Sequence, residues 1–450
     1  GNGERTPRHS VITNSTYDGL CYHAARVVEL LGQSVDRIHF DEAWYGYARF
    51  NPLYKDRFGM YGAPQEYPKD APTIFTTTST HKLLAALSQA SFIHVRDGRN
   101  PVEHARFNES FMMHASTSPQ YAIICSNEVS AAMMAGVSGR TLTTESIQEA
   151  VAFRQALRRI RRDYGKTNDW FFSTWNADEV KNPQTGKMML FEDAPQDLLV
   201  MEPDCWVLHP EAAWHGFKDL EDGYCMLDPI KVSVVTPGVA TDGSFETLGI
   251  PATLVTAYLD HRGIVVEKTT DFTILFLFSI GVTKGKWGTL VNALLKFKED
   301  YDRNTPLSEV LPELVKSYPA RYGNLGLRDL AAEMFAQMQA SNQLQFQAQA
   351  FSSLPRAAMT PNEAYQQLAH NEVEAIAVAQ MANRLVATGI VPYPPGIPML
   401  MPGESAGADD SAYLGYLRAL QAWDRKFPGF GHDIHGVENE DGTYYVYCLK

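Results

Sequence analysis

Cysteine is scarce and scattered in this chain. Among 450 residues it occurs at Cys21, Cys125, Cys205, Cys225 and Cys448, an odd number with no C-x-x-C pair, which argues against a disulfide framework and against a cysteine zinc site. A reducing compartment, the cytoplasm, is therefore expected. Long apolar runs are missing too. The most apolar, "ILFLFSIG" at 274–281, is far too short to cross a bilayer and predicts a buried strand. The opening "GNGERTPRHS" shows no apolar core of a secretory signal. Positive charge is the third deficit: 39 Lys plus Arg face 52 Asp plus Glu, a formal net charge of −13. Nucleic acid and membranes are therefore not expected partners, whereas a small cationic substrate suits such a chain.

What is present is an ordinary globular composition, 45% hydrophobic and 20% charged, with length for two or three domains and no internal repeat. "RHSVITNSTYDG" predicts a strand running into a polar turn. "DRIHFDEAWYGYARF" predicts a second strand ending near Asp41, "APTIFTTTS" a third and "SFIHVRDG" a fourth, with a helix over 81–90. Strands alternating with helices imply an α/β fold with a largely parallel sheet, whose ligands gather at strand carboxyl ends. Residues 144–164 predict a long amphipathic helix with Thr144 as N-cap and Ile147, Val151, Leu157 and Ile160 facing inward. An α+β pattern runs on to about residue 300. The segment 306–386 predicts helix, and the proline-rich "IVPYPPGIPMLMPGE" an extended loop.

Chemistry concentrates in "TTTSTHKLLAALSQAS", residues 76–91. Its hydroxyls lead into His81 and Lys82 at a predicted helix start, where a cation meets the positive end of the helix dipole unless an anion lies beside it. Hydroxyls, backbone N–H groups and an amine beside a carboxylate are what pyridoxal phosphate requires: an amine for its aldehyde, an anion pocket for its phosphate and an acid for its ring nitrogen. Lys82, Ser79 with Thr80, and Asp41 offer these in outline. A surface lysine, a satisfied histidine and an Asp41 that merely caps a helix fit the same four-residue pattern.

Longer motifs carry more information. "HFDEAWYGYARFNPLY" followed by "STHKLLAALSQASFIHV" resembles the bacterial ornithine/lysine/arginine decarboxylases, and the likeness continues through "FMMHASTSPQY", "WHGFKD", "LDPIKV", "GIVVEKT" and "PYPPGIPMLMPGE". "TTDFTILFLFSIGVTKGKWGTLVN" and "NPQTGK" resemble the acid-inducible arginine branch. The resemblance implies the aspartate-aminotransferase-like fold of pyridoxal-phosphate enzymes. Residues 1–135 would be the C-terminal part of the cofactor-binding large domain, 136–300 an α+β small domain and 301–450 a C-terminal domain.

It implies a lyase that decarboxylates a basic amino acid, arginine first, with lysine or ornithine as alternatives. Lys82 would be the lysine that bonds the cofactor, Asp41 the partner of its ring nitrogen, and Ser79 and His81 its phosphate ligands. Ala43 and Trp44 would lie along the ring. Ser116, Thr117 and Ser118 would reach the cofactor or substrate of a partner subunit, so a homo-oligomer is implied. Glu267 and Tyr393 would contact the substrate's distal cation, although "VVEKT" at Glu267 is the form associated with lysine and ornithine enzymes. His432 and His435 stand three apart without a third ligand and read as loop or interface histidines. The family's N-terminal wing and first half of the cofactor domain do not precede "GNGERTPRHS". A sheet with exposed edges, in need of a complementary segment or partner, is therefore expected. A non-catalytic fragment is the reading from another class.

Overall fold

The computed structural model describes residues 8–393 and 396–450. Its contacts divide the chain into two units. One runs up to Asp169 and adds Ser173–Val234 and Leu275–Thr289; the other joins Trp170–Phe172, Val235–Ile274 and Leu290–Lys450.

In the first unit the strand β1 (His9–Thr13) is followed by β2 (Leu20–Tyr22), helix α1 (Ala24–Leu31) and β3 (Arg37–Asp41). Next come β4 (Thr73–Thr78), a short α2 (Thr80–Leu83) and β5 (Phe92–Arg96). The sheet order is β1-β3-β4-β5, parallel through the first three and antiparallel at β5. Period-two alternation sorts the two faces. Ile38, Phe40 and Ile74 turn inward to pack with Ala24, Val27 and Val28 of α1, while Arg37, His39 and Asp41 take the opposite face. β2 pairs antiparallel with the strand Cys225–Leu227.

Both sheet edges, β1 and β5, lack a neighbouring strand among the described residues. Val11, Phe92, Ile93 and Val95 are exposed there. The same holds for much of α3 (His104–His114) and α4 (Tyr121–Met134), where Phe111, Met113, Tyr121 and Val129 face solvent.

The helix expected over 81–90 is a single turn. α2 stops after Leu83 because the chain folds back: the backbone N–H and Nδ1 of His81 both reach the carbonyl of Ala90, at 3.3 and 2.8 Å, and Gln89 adopts a left-handed φ of 76°. A single turn aligns too few peptide units to build a macrodipole, so the dipole conflict expected of Lys82 at the start of a longer helix does not arise.

The long helix α5 spans Gly136–Gly165, so Thr144 is interior rather than an N-cap. Thr143 and Ser146 turn their hydroxyls onto carbonyls of the preceding turn, and the Thr144 hydroxyl accepts from Asn51 Nδ2 at 3.1 Å. Ile147, Val151 and Leu157 are buried as expected, whereas Ile160 is half-buried.

In the second unit the helices Leu327–Ala340, Gln343–Ser352, Pro361–Ala369 and Ala412–Lys426 accompany an antiparallel sheet. In that sheet Thr443–Leu449 lies between Val373–Ala377 and Glu438–Glu440. The helical reading of 306–386 therefore fails at its end. Asn371, with φ of 60°, closes the helix, and "VEAIA" pairs with the last strand instead. Within the proline-rich run, Val391–Tyr393 is a strand paired with Asp433–His435, and Pro394 and Pro395 lie outside the described residues.

Candidate functional site

Parallel register aligns the ends of two central strands: Asp41 of β3 stands beside Thr77 of β4. Both residues occupy the face opposite the α1 core, and the chain leaves β4 into Ser79, Thr80, His81 and Lys82 at the same end. Asp41 Oδ1 accepts the backbone N–H of Ala43 at 3.1 Å, which bends the chain so that Trp44 follows at the strand end. The Lys82 Nζ lies 4.9 Å from the centroid of the Trp44 ring, a cation–π contact, and makes no salt bridge among the described residues. Trp44 in turn meets Tyr17 at 5.3 Å. Asp41, Trp44, Ser79, His81 and Lys82 are each half-buried.

The structure thus brings Asp41, Ala43, Trp44, Ser79, His81 and Lys82 to one end of the sheet. Ser116, Thr117 and Ser118 sit apart on the exposed link between α3 and α4, where the Ser118 N–H donates to Ser116 Oγ at 3.1 Å. Glu267 and Tyr393 belong to the second unit. Tyr393 meets the His435 ring at a tilt of 53° with centroids 4.8 Å apart, and Glu267 immediately precedes the strand Lys268–Thr269. His432 Nδ1 bonds Asp424 Oδ1 at 2.8 Å.

Sequence reasoning missed His39 and the support beneath the strand ends. His39 shares a face with Asp41, its Nε2 3.0 Å from Thr77 Oγ1, and burial holds its pKa below the usual imidazole value. The alternation of "RIHFD" carried that signal. Below the site, buried Asp228 accepts the hydroxyls of Tyr47 and Tyr54, the latter at 2.7 Å, and burial raises its pKa. Lys231 is buried as well, donating to Ser15 Oγ at 2.7 Å and to the Thr16 carbonyl at 3.0 Å. The opposite face of the sheet holds a cavity of about 310 Å³ with Glu42, Thr76 and Thr78 in its wall.

A family model described as Orn/Lys/Arg decarboxylase, major domain, matches residues 2–286, and one for the C-terminal domain of the same family matches 344–450. The chain is 53% identical over 444 residues to the biodegradative arginine decarboxylase of Escherichia coli (strain K12), covering 99% of this chain and 58% of that protein. It is 46% identical over 446 residues to the lysine decarboxylase LdcA of Pseudomonas aeruginosa, covering 98% of this chain and 57% of that protein. Among solved structures, lysine decarboxylase A from Pseudomonas aeruginosa superposes with a TM-score of 0.91 at 45% identity, over 99% of this chain and 58% of that one. The chain spans a little over half the length of these relatives.

Proposed function

We propose, for a chain that belongs to the Orn/Lys/Arg decarboxylase family, that it carries the cofactor lysine and ring-nitrogen acid of a pyridoxal-phosphate enzyme that decarboxylates L-arginine. The family is pyridoxal-phosphate dependent and its members have the α/β fold of that class. The donor set at the strand ends fits the group: an amine without a carboxylate partner among the described residues, an acid on the adjacent strand, an indole beside the amine, and the hydroxyl of Ser79; the Thr80 hydroxyl, expected to join it, is instead buried and bonded to Asn127. The observation that carries the reading is the convergence of Lys82 and Asp41 on one end of two parallel strands.

In this reading Lys82 would hold the cofactor's aldehyde carbon, Asp41 its ring nitrogen, and Ser79 and His81 its phosphate, with Ala43 and Trp44 beside the ring. Bound there, the cofactor supplies an electron sink for the pair left behind when the substrate's carboxylate departs as carbon dioxide. A carboxylate in the place of Asp41 would favour a proton on that ring nitrogen. Lys82 would be the amine that holds the cofactor between turnovers. Net, an ammonium carboxylate and one proton become an ammonium product and carbon dioxide, so each turnover consumes a proton, as acid resistance would use. Ser116, Thr117 and Ser118, exposed on their link, are the residues proposed to reach a partner's site in a homo-oligomer. The open sheet edges support a need for that partner or for a complementary segment.

Arginine is favoured by the 53% identity to a protein named an arginine decarboxylase. Lysine is the second reading, supported by Glu267 and by the 46% identity to a lysine decarboxylase. One glutamate satisfies an ammonium, whereas a guanidinium is best held by a bidentate fork. Glu267 and Tyr393 are the proposed distal contacts in either case. The division at 1–135, 136–300 and 301–450 and a cytoplasmic location are part of the same proposal; among the described residues no helix is long and apolar enough to cross a membrane.

The test is a pyridoxal-phosphate titration of wild type and Lys82→Ala, followed by carbon dioxide release from arginine, lysine and ornithine. Visible cofactor absorbance in wild type alone, and turnover with arginine foremost, is the expected outcome. Equal absorbance and turnover in the variant would defeat the assignment, and a lysine preference would reverse the substrate.

A further inference from the structure

Lys82 sits in a turn too short to hold itself. β4 and β5 are paired up to Thr78 and Phe92, and residues 79–91 connect them with the four-residue α2 as their regular structure. One helical turn fixes its dihedrals for very little internal hydrogen bonding, so its placement has to come from its surroundings. Within the connection, His81 returns to the Ala90 carbonyl through both its backbone N–H and its Nδ1. That closes the connection on itself without anchoring it to the rest of the unit.

The anchor is α4. Asn127 grips the connection near both ends: Thr80, 2% exposed, donates its hydroxyl to Asn127 Oδ1, and Asn127 Nδ2 donates to the Ser91 carbonyl at 3.4 Å. A carbonyl only accepts, so the amide must turn its Nδ2 to Ser91, which leaves Oδ1 for Thr80. Ser126 takes the middle. Its Oγ accepts the Leu87 N–H at 3.1 Å and donates to the Ile123 carbonyl at 2.7 Å. Ser130 and Met134 are the buried residues of α4, while Tyr121, Ile124 and Val129 face solvent. The helix therefore meets the lysine connection through polar side chains rather than through an apolar stripe.

We propose that Asn127, assisted by Ser126, is a positioning residue for Lys82. By holding Thr80, two residues ahead of the lysine, and Ser91 beyond it, Asn127 sets where the amine stands beside Trp44 and the end of β3. The inference rests on the reading of Lys82 as the cofactor lysine. There the amine nitrogen bonds the aldehyde carbon and the aldehyde oxygen leaves as water, a step that needs no oxidant or reductant. Its rate depends on the nitrogen reaching the carbon in the right orientation, and a misplacement of about 1 Å can cost a factor of order 100.

Two measurements on the full chain test this. Mixing with pyridoxal phosphate, borohydride reduction at set times and peptide mass spectrometry give the rate of bonding at Lys82. Amide hydrogen exchange over residues 81–91, without cofactor, reads the connection itself. Asn127→Ala should slow bonding roughly tenfold and speed that exchange by a similar factor. Thr80→Val should slow bonding about fivefold, and Thr80→Ser, which keeps the hydroxyl, should stay within about twofold of wild type. Thr360→Ala, which loosens a helix of the other unit, should leave both measurements unchanged and so separates positioning from general loss of stability. Should Asn127→Ala not fold, the two Thr80 variants carry the same test. Bonding at Lys82 that is equally fast in wild type, Asn127→Ala and Thr80→Val overturns this inference alone, as does equal slowing in Thr80→Val and Thr80→Ser. No bonding at Lys82 in wild type overturns the cofactor reading and this inference with it.

Discussion

Replacing Glu42 by glutamine should remove a pH dependence of stability that the wild-type chain carries. Glu42 is 3% exposed; its Oε1 accepts the Gly59 N–H at 2.7 Å and Asn14 Nδ2 at 3.2 Å, and no cation pairs with it among the described residues. Burial, with smaller help from Asp41, pushes its pKa from 4.5 to about 8. The unfolded chain releases this proton near 4.5, and the folded chain keeps it until about 8. Stability is therefore complete below the lower value, falls as pH rises between the two, and levels off above the upper one. At about 1.36 kcal/mol for each pH unit between the two values, the loss approaches 4–5 kcal/mol across the window and about 3 kcal/mol by neutral pH. Glutamine reproduces the neutral acid: its oxygen accepts the same two donors, and it never ionises. Urea unfolding followed by tryptophan fluorescence should give similar stability for the two proteins at about pH 5 and several kcal/mol in favour of Glu42→Gln at about pH 8. Parallel pH dependences would refute the reasoning, since they would mean that Glu42 is ionised in the fold.

Asp228→Asn should cost about 2–4 kcal/mol, because an amide offers one oxygen where Tyr47 and Tyr54 both donate to a buried carboxylate, and thermal melting reads the loss. An unchanged melting point would show that the network carries no such weight. Thr360→Ala removes half of a capping box with Glu363, so the helix Pro361–Ala369 should lose about 1 kcal/mol, seen as faster amide exchange in its first turn. Ile93→Lys places a charge on the exposed edge strand β5; stability should stay within about 0.5 kcal/mol while self-association by light scattering falls. Undiminished scattering would count against an open edge.

The strands of the first unit were legible because their signals are local. "RIHFD" and "TIFTTT" alternate with period two, and the structure keeps both as strands with Ile38, Phe40 and Ile74 inward. The errors occur where distant groups decide. "HKLLAALSQA" has good helix formers throughout, yet hydrogen bonds from His81 to Ala90 reverse the chain after one turn. Thr144 looked like a cap until its hydroxyl found Asn51, 93 positions away. Arg154 shows the same limit inside α5: it lies on the apolar stripe and is fully buried, donating to the carbonyls of Pro229, Trp175 and Lys231. Burial holds its pKa near 9. A basic residue reads as solvent-facing unless the carbonyls it serves are known. For the candidate site, the motif was readable as a string of residue types. That Asp41 and Lys82 share one end of the sheet follows from register between strands, which no single segment encodes.

The pair Asp41–Glu42 shows how one pleat assigns opposite roles to neighbouring acids. Successive side chains leave a strand on opposite faces, so the last residue of β3 points to the open end where Lys82 and Trp44 lie, and the next is drawn into the interior behind it. The half-buried acid is positioned by the Ala43 N–H and is the one proposed to act as an anion. The buried acid is held by Gly59 and Asn14 and stays protonated to about pH 8. Were both ionised, two negative charges on adjacent residues would repel, and the inner one would lack solvent to screen it. Neutralising Glu42 by burial therefore takes one negative charge away from the strand end. The one-residue spacing is what allows this: moving the acid by one position exchanges the faces, and the proposed ring-nitrogen partner would become the buried, uncharged one.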